Sequence, residues 1–125
     1  MKTYLGIDYG KSKIGLAKGT DETRVATPMR ILENNEKAIK LLDEIVDINE
    51  IDEIVVGYPL SLSGEVGPQA REVDAFIEEV AQAIDKPVNK QDERFSSRSA
   101  VSKGDDDASA AALILQTYLE RISNN

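Results

Sequence analysis

The sequence predicts an α/β fold: a five-stranded mixed sheet, three antiparallel strands followed by two parallel ones, flanked by helices. Three observations predict it. Up to residue 32, short apolar runs alternate with turn-forming residues; apolar residues then recur at helical spacing; and further short apolar runs afterwards alternate with helical stretches. The order βββ-α-β-α-β-α implies right-handed crossovers between parallel strands, and ligands bind at the carboxyl ends of such strands.

The first three strands form a predicted antiparallel meander. Met1–Asp8 and Lys13–Lys18 are strands joined by turn-forming residues 9–12, and Arg24–Leu32 is a weaker third strand. Pro28 interrupts the third strand. Because proline cannot donate a ladder hydrogen bond, we expect this strand at the edge of the sheet.

The remaining elements alternate between helices and strands. Asn34–Ile48 is a predicted helix with Asn34 or Asn35 as its N-cap, and Glu53–Gly57 is a predicted buried parallel strand. A helix, a strand and a helix follow over Pro68–Ile84, Pro87–Gln91 and Asp107–Ile122. The residues predicted to face inward from the three helices are Ala38, Leu41, Leu42, Ile45 and Val46, then Ala70, Val73, Ile77, Val80 and Ile84, then Ala111, Leu115, Tyr118 and Leu119. A chain of 125 residues suits one domain, residues 1–125.

The composition narrows the chemistry that the chain can perform. It contains no Cys and no His, which excludes a disulfide framework, a thiolate nucleophile, a Cys/His zinc site and a Ser-His-Asp triad. Catalysis would have to use carboxylates, Lys, Tyr, backbone amides or a metal ion bound by oxygen atoms. Hydrophobic residues make up 41% and charged residues 30%, with no apolar run of membrane length and no signal-peptide pattern. We therefore expect a globular cytoplasmic protein.

The net charge of -8 at first argues against nucleic acid, whose phosphates attract basic surfaces. The acid is unevenly distributed: residues 31–85 carry three Lys/Arg against fourteen Asp/Glu, whereas residues 1–30 carry six against three and residues 86–104 five against two. We expect most of the acid on solvated helix faces, which leaves room for a local basic patch.

Three acidic motifs stand at the ends of predicted elements. Asp8 ends the first strand before Gly10, where a carboxylate and exposed amides suit a metal ion or phosphate, although a plain hairpin turn explains the pattern equally well. Asp92-Glu93-Arg94 follows the fifth strand, where an ordinary charged loop is the simpler alternative. Asp105-Asp106-Asp107 precedes the last helix, where acids also stabilise the helix dipole. Composition does not choose among these three aspartates.

Together the motifs predict a metal site. The topology can bring acids from three separate elements to one edge of the sheet, where clustered carboxylates repel one another unless a cation is present. Oxygen ligands favour Mg²⁺ or Mn²⁺, and two such ions about 3.5–4 Å apart would support phosphodiester hydrolysis without a histidine base.

At these motifs the chain resembles the YqgF/RuvX family of RNase H-like proteins, which are described as Holliday junction resolvases or pre-16S rRNA nucleases. The resemblance runs nearly end to end. It rests on five segments, Gly6–Gly10, Ile54–Leu60, Gly64–Ala70, Asp92–Ser97 and Asp107–Gln116.

The resemblance implies a catalytic and metal-binding triad of Asp8, Glu93 and Asp107, since the family's Asp-Ala-x-Ala-Ala helix start selects Asp107. Related resolvases take an acid from the fourth strand. Here that strand ends in Gly57, and Glu93 is the expected substitute. The predicted nucleic-acid contacts are Arg94, Ser96 and Ser97, which match family positions, and in addition Lys11, Lys13, Arg71 and Arg98.

The implied function is a Mg²⁺- or Mn²⁺-dependent endonuclease that cuts structured RNA, with a pre-16S rRNA end as its substrate. The alternative is a resolvase of branched DNA, which would need a homodimer to cut two strands symmetrically, whereas a monomer can trim RNA. One departure weakens both hypotheses: only residues 98–104 and the acidic run stand where family members usually have a longer basic segment. A non-catalytic RNA-binding or assembly protein of the same fold is a third hypothesis, and an actin-like nucleotide-binding module around residues 8–15 is a fourth.

Overall fold

The computed structural model describes residues 1–61, 63–93 and 108–123. Over these ranges the chain forms five strands and three helices in the predicted order, with boundaries that differ from the prediction by a few residues. The strands are β1 (Thr3–Tyr9), β2 (Lys13–Thr20), β3 (Thr27–Glu33), β4 (Glu53–Tyr58) and β5 (Val88–Asp92), and the helices are α1 (Ala38–Ile48), α2 (Pro68–Ala83) and α3 (Ser109–Ser123).

The five strands form one mixed sheet in the order β3-β2-β1-β4-β5. β1 pairs antiparallel with β2, and β2 with β3, whereas β1–β4 and β4–β5 are parallel. This confirms the predicted sheet and the edge position of β3. Leu16 pairs with Arg30 but Ala17 pairs with Pro28, so Met29 is an extra residue on the edge strand. A bulge and a proline both discourage a further strand from pairing there.

The alternation of side chains along β1 places two core layers on opposite faces of the sheet. Leu5 and Ile7 are fully buried in the layer beneath α1 and α2, whereas Tyr4 belongs to the layer beneath α3. Successive side chains of a strand point to opposite faces. Asp8 therefore lies on the α3 face of the sheet, and Tyr9 packs against the opposite layer.

Helix α3 runs antiparallel to β1 and contacts it closely. A Cβ atom on Gly6 would lie 2.7 Å from Cβ of Leu115 and 3.0 Å from the carbonyl oxygen of Ala111. Farther along, the rings of Tyr4 and Tyr118 meet edge to face with centroids 5.7 Å apart. The beginning of α3 therefore lies toward the carboxyl end of β1, where Asp8 stands.

The predicted N-cap of α1 is wrong. The helix begins at Ala38 after Lys37, and no side chain caps it. Oδ1 of Asn35 accepts a 2.9 Å hydrogen bond from the Lys37 N–H, and Nδ2 of Asn34 donates a 2.7 Å bond to the Gly10 carbonyl. Asn35 thus stabilises a local turn, as a short amide side chain does in non-helical backbone, whereas Asn34 ties the end of β3 to the turn between β1 and β2.

The exposed faces of α1 and α2 carry the acid, as the charge pattern predicted. Asp43, Glu44 and Asp47 on α1 are exposed, as are Glu78 and Glu79 on α2. No helix in the part of the chain that the structure describes is long and apolar enough to cross a membrane.

Candidate metal centre

The carboxyl ends of β1, β4 and β5 meet at one edge of the sheet. Ile7 is in register with Val56, so Asp8 and Gly57 are the next residues on two neighbouring strands, which run about 4.8 Å apart. Gly57 is in turn in register with Gln91 on β5. Asp8 and Gly57 both face α3, and this edge is where a parallel sheet exposes its functional groups.

Glu93 extends the sheet one residue beyond β5. Its N–H donates a 3.1 Å hydrogen bond to the Tyr58 carbonyl, and the residue is only 8% exposed. A Cβ atom on Gly57 would overlap Oε2 of Glu93 and would lie 2.8 Å from its carboxyl carbon. It would also lie 2.6 Å from Cδ1 of Ile114 in α3. The Glu93 carboxylate therefore occupies the space of the side chain that β4 lacks.

A second buried polar group, Gln91, lies beside this carboxylate and was not predicted from the sequence. It is 6% exposed, and its Nε2 donates a 3.1 Å hydrogen bond to the Asp92 carbonyl. Among the described residues, its Oε1 finds no hydrogen-bond partner. Gln91, Glu93 and Ile114 line a small cavity of about 10 Å³ beneath α3. The sequence offers one indication of this placement: Gln91 stands two residues before Glu93, and such residues of a strand share a face.

The opposite face of the same edge is braced by three side chains, which the sequence analysis also missed. The Tyr58 hydroxyl donates a 2.7 Å hydrogen bond to Asp74, and Nζ of Lys90 lies 2.9 Å from the same carboxylate and 4.3 Å from the Tyr58 ring centroid. The bond from Lys90, followed by that from Tyr58, lowers the pKa of Asp74. The bond to Asp74 raises the pKa of Tyr58. The brace ties α2 to the ends of β4 and β5.

Of the three predicted ligands, the structure brings Asp8 and Glu93 to the same edge and the same face. Asp107 lies outside the described residues, and no group of three acids that could hold a metal ion occurs within them. Ala108, the first described residue after the gap, is buried at the start of α3. Carboxylate oxygens are the donors that Mg²⁺ and Mn²⁺ prefer, and the seat beside Gly57 fixes one of them next to Asp8. These residues fit a hard divalent cation.

The predicted nucleic-acid contacts are only partly described. Lys11 is exposed and lies 3.7 Å from Glu72, and Lys13 lies 3.8 Å from Glu33. Arg71 is exposed in the first turn of α2. The remaining predicted contacts, Arg94, Ser96, Ser97 and Arg98, lie outside the described residues.

A cleft of about 380 Å³ opens on the α2 side of the same edge. It lies between the β1–β2 turn and the first turns of α2, and Lys11 and Glu72 both line it. Its other lining residues are Tyr9, Gly10, Pro68 and Gln69. The cleft therefore adjoins Asp8 along the chain but faces the other side of the sheet.

The sheet order, the flanking helices and the acids at the carboxyl edge define an RNase H-like protein. The solved structure of Thermus thermophilus RuvC has the same fold: its TM-score is 0.65, with 14% identity over 98% of this chain and 96% of that one. The profile of the RuvX family, described as Holliday junction resolvase, matches residues 2–121.

Two relatives in sequence carry the name "Putative pre-16S rRNA nuclease". The protein of Rickettsia rickettsii is 36% identical, with 96% of this chain and 87% of the relative covered. That of Chlorobium phaeobacteroides is 37% identical, with 99% and 96% covered. The chain belongs to the RuvX (YqgF) family of RNase H-like nucleases.

Proposed function

We propose that this protein is an endonuclease that uses Mg²⁺ or Mn²⁺ to hydrolyse phosphodiester bonds in structured nucleic acid, and that it processes the 5′ end of pre-16S rRNA in the cytoplasm. The observation that carries the proposal is that Asp8 and Gly57 end neighbouring strands and that the Glu93 carboxylate lies against Gly57 on the α3 face. Family membership supports the reaction class, and the names of the relatives support the RNA substrate.

The proposed ligands are Asp8, Glu93 and Asp107. Asp107 directly precedes Ala108 in the chain, and Ala108 is buried at the start of α3. The positive end of the α3 dipole favours negative charge in this region. When bound, the metal ion supplies Lewis-acid polarisation of the scissile phosphate and neutralises charge that develops on it.

We propose that nucleic acid approaches this edge and not the outer faces of α1 and α2, because those faces carry exposed acid that repels phosphate. Lys11 and Arg71 are two described cations on the α2 side of the edge, where Lys90 is already paired with Asp74. The Lys11–Glu72 pair is exposed and spans 3.7 Å, so it is weak and is readily exchanged for a phosphate contact. Lys13, Arg94, Ser96, Ser97 and Arg98 complete the proposed set of contacts.

The proposal is tested by a cleavage assay of the wild type beside Asp8→Asn, which removes one ligand charge with little change of shape. Precursor 16S rRNA and a four-way DNA junction are each incubated with Mg²⁺ and with Mn²⁺. We expect cleavage of the precursor by the wild type and a loss of about 100-fold or more in Asp8→Asn, the upper range for disturbed metal centres.

Asp43→Asn is the matched control, because it makes the same chemical change on the exposed face of α1. It should cleave like the wild type. Equal cleavage by the wild type and Asp8→Asn would contradict the proposed site, and absence of cleavage of both substrates would contradict the proposed activity.

The second candidate function is resolution of four-way DNA junctions, which the description of the family profile favours. Symmetric cutting of a junction requires two active sites related by a twofold axis. The junction arm of the assay, combined with sedimentation of the protein alone and with the junction, distinguishes the two functions. Paired nicks made by a homodimer would favour resolution, whereas cleavage of the RNA by a monomer would favour processing.

A further inference from the structure

We propose that Gly57 is a positioning residue of the metal centre: the side chain missing at the end of β4 leaves the seat in which the Glu93 carboxylate is held. The geometric part of this inference stands on the described contacts alone. Its consequence for metal binding rests on the proposed function.

The seat lies between the Gly57 backbone and Ile114 of α3. A Cβ atom on Gly57 would overlap Oε2 of Glu93 and lie within 2.8 Å of its carboxyl carbon, which is closer than unbonded carbon atoms approach. Cδ1 of Ile114 closes the seat from α3, 2.6 Å from the same point. The Glu93 carboxylate therefore packs directly against the backbone of Gly57, on the strand next to Asp8.

Glu93 has little freedom to retreat from an added methyl group. Its N–H is bonded to the Tyr58 carbonyl, so its backbone is fixed to the strand that carries Gly57. The cavity next to it, which Gln91 and Ile114 also line, measures about 10 Å³, which is room for at most one water molecule and too little for a displaced carboxylate. A side chain at position 57 must therefore displace the carboxylate from the edge near Asp8.

The same geometry implies that the carboxylate could be supplied from position 57 instead of position 93. The carboxyl carbon of an aspartate is one bond beyond its Cβ, so Gly57→Asp would deliver a carboxylate to nearly the place that Glu93 now fills, provided that Glu93 is shortened. An acidic side chain at either position 57 or position 93 could therefore supply the same ligand. In this chain the acid is at position 93.

The first experiment measures Mn²⁺ binding by calorimetry and nucleic-acid cleavage in parallel. Gly57→Ala should weaken Mn²⁺ binding and cleavage by about 10- to 100-fold, the range seen when residues that orient a ligand are changed. Gly67→Ala is the matched control, because a Cβ atom there meets no atom within 4 Å. Gly57→Asp combined with Glu93→Ala should recover Mn²⁺ binding that Glu93→Ala alone has lost.

The second experiment needs neither metal nor activity. Gly57→Ala and Glu93→Ala are combined in a double-mutant cycle, and thermal unfolding is followed in EDTA. Gly57→Ala should lower the Tm of the wild type by roughly 5 °C through overpacking. In the Glu93→Ala background the loss should be much smaller, because the Glu93 contacts are gone and Cδ1 of Ile114, the end of a flexible side chain, can turn into the vacated space. A purely structural role for Gly57 would lower the Tm equally in both backgrounds.

The results separate the inference from the proposed function. Additive Tm changes in the cycle, or a Gly57→Ala variant that binds Mn²⁺ like the wild type, would overturn the inference that Gly57 positions Glu93. A wild type that shows the coupling but neither binds Mn²⁺ nor cleaves would leave the seat standing and overturn the proposed function.

Discussion

The hydroxyl of Tyr58 donates a 2.7 Å hydrogen bond to Asp74, while the carbonyl of Tyr58 accepts the N–H of Glu93. One residue thus connects α2 on one face of the sheet to the candidate metal centre on the other. The side-chain bond anchors the helix, and the main-chain bond fixes the backbone of the proposed ligand.

Tyr58→Phe separates these two roles. It removes the bond to Asp74 but keeps the ring and the main-chain carbonyl. We expect the free energy of unfolding to fall by about 1 kcal/mol. Cleavage should stay within about twofold of the wild type, well below the tenfold change that 1.4 kcal/mol represents. Urea unfolding and the cleavage assay measure the two effects. Tyr58→Leu, which also removes the ring beneath Lys90, should cost more. An unchanged unfolding midpoint in Tyr58→Phe would show that the bond contributes nothing.

The stability of the fold should fall in acid because of Glu53. The bond from Lys2, at 2.6 Å, lowers the pKa of Glu53 most, and the 2.9 Å bond from Asn89 lowers it further. A carboxyl whose pKa is lowered in the folded state stabilises the protein above its unfolded pKa of about 4.5, and this contribution is lost as the pH falls through the folded value.

Thermal unfolding between neutral pH and about pH 3 tests this dependence, since that range spans the ordinary carboxyl pKa. Glu53→Gln should lower the Tm near neutral pH and should flatten the decline below about pH 4.5. Asp74, whose pKa is also lowered, contributes a decline of the same sign. Glu53→Gln combined with Asp74→Asn should therefore flatten it further. An identical acid profile in the wild type and the double variant would contradict the assignment.

Divalent ions should stabilise the fold through the candidate centre. A ligand that binds only the folded state at 100 times its Kd adds about 2.7 kcal/mol to the free energy of unfolding. We expect Mg²⁺ or Mn²⁺ to raise the Tm and EDTA to reverse the rise. Asp8→Asn should abolish the shift, whereas Asp43→Asn should keep it. A Tm that ignores both ions in the wild type would count against an assembled site.

The close approach of α3 to β1 depends on Gly6. Gly6→Ala would place a methyl group 2.7 Å from Cβ of Leu115 and 3.0 Å from the Ala111 carbonyl, and backbone and Cβ atoms cannot rotate away. We expect a loss of about 1–3 kcal/mol, the usual cost of overpacking, measured by urea unfolding. Gly67→Ala, where a Cβ atom meets no described atom within 4 Å, should cost less, at most about 1 kcal/mol for the poorer N-cap of α2. Equal stability of the two variants would mean that α3 shifts freely over the sheet.

Much of the fold was predictable because hydrophobic period and turn residues are local signals. The first strand, the edge position signalled by Pro28 and the helical stripe of α1, apart from the partly buried Leu41, are confirmed. The details that depend on contacts between residues distant in sequence were harder to predict. Phe76 is buried in α2 and the predicted Ile77 only partly so, because the larger ring packs on Tyr9, with centroids 4.5 Å apart.

The candidate site was predictable only as a set of acids at element ends. Spacing could place Asp8 and Glu93 at one edge, but no local pattern shows that Gly57 leaves a seat for a carboxylate from the next strand. Gln91 was missed for the same reason, since its burial is created by α3, far away in sequence. Tertiary contact, not propensity, decides these positions.

The contact between Gly6 and Leu115 joins residues from opposite ends of the described sequence. Contacts of such long range form slowly, because the intervening chain must first be closed into a loop. Until α3 docks, the layer containing Tyr4, Ala17 and Val55 stays uncovered, and nothing holds the start of α3 near Asp8. A chain in which α3 has not docked therefore carries its acids without an assembled candidate centre, so the proposed cleavage should require the docked helix.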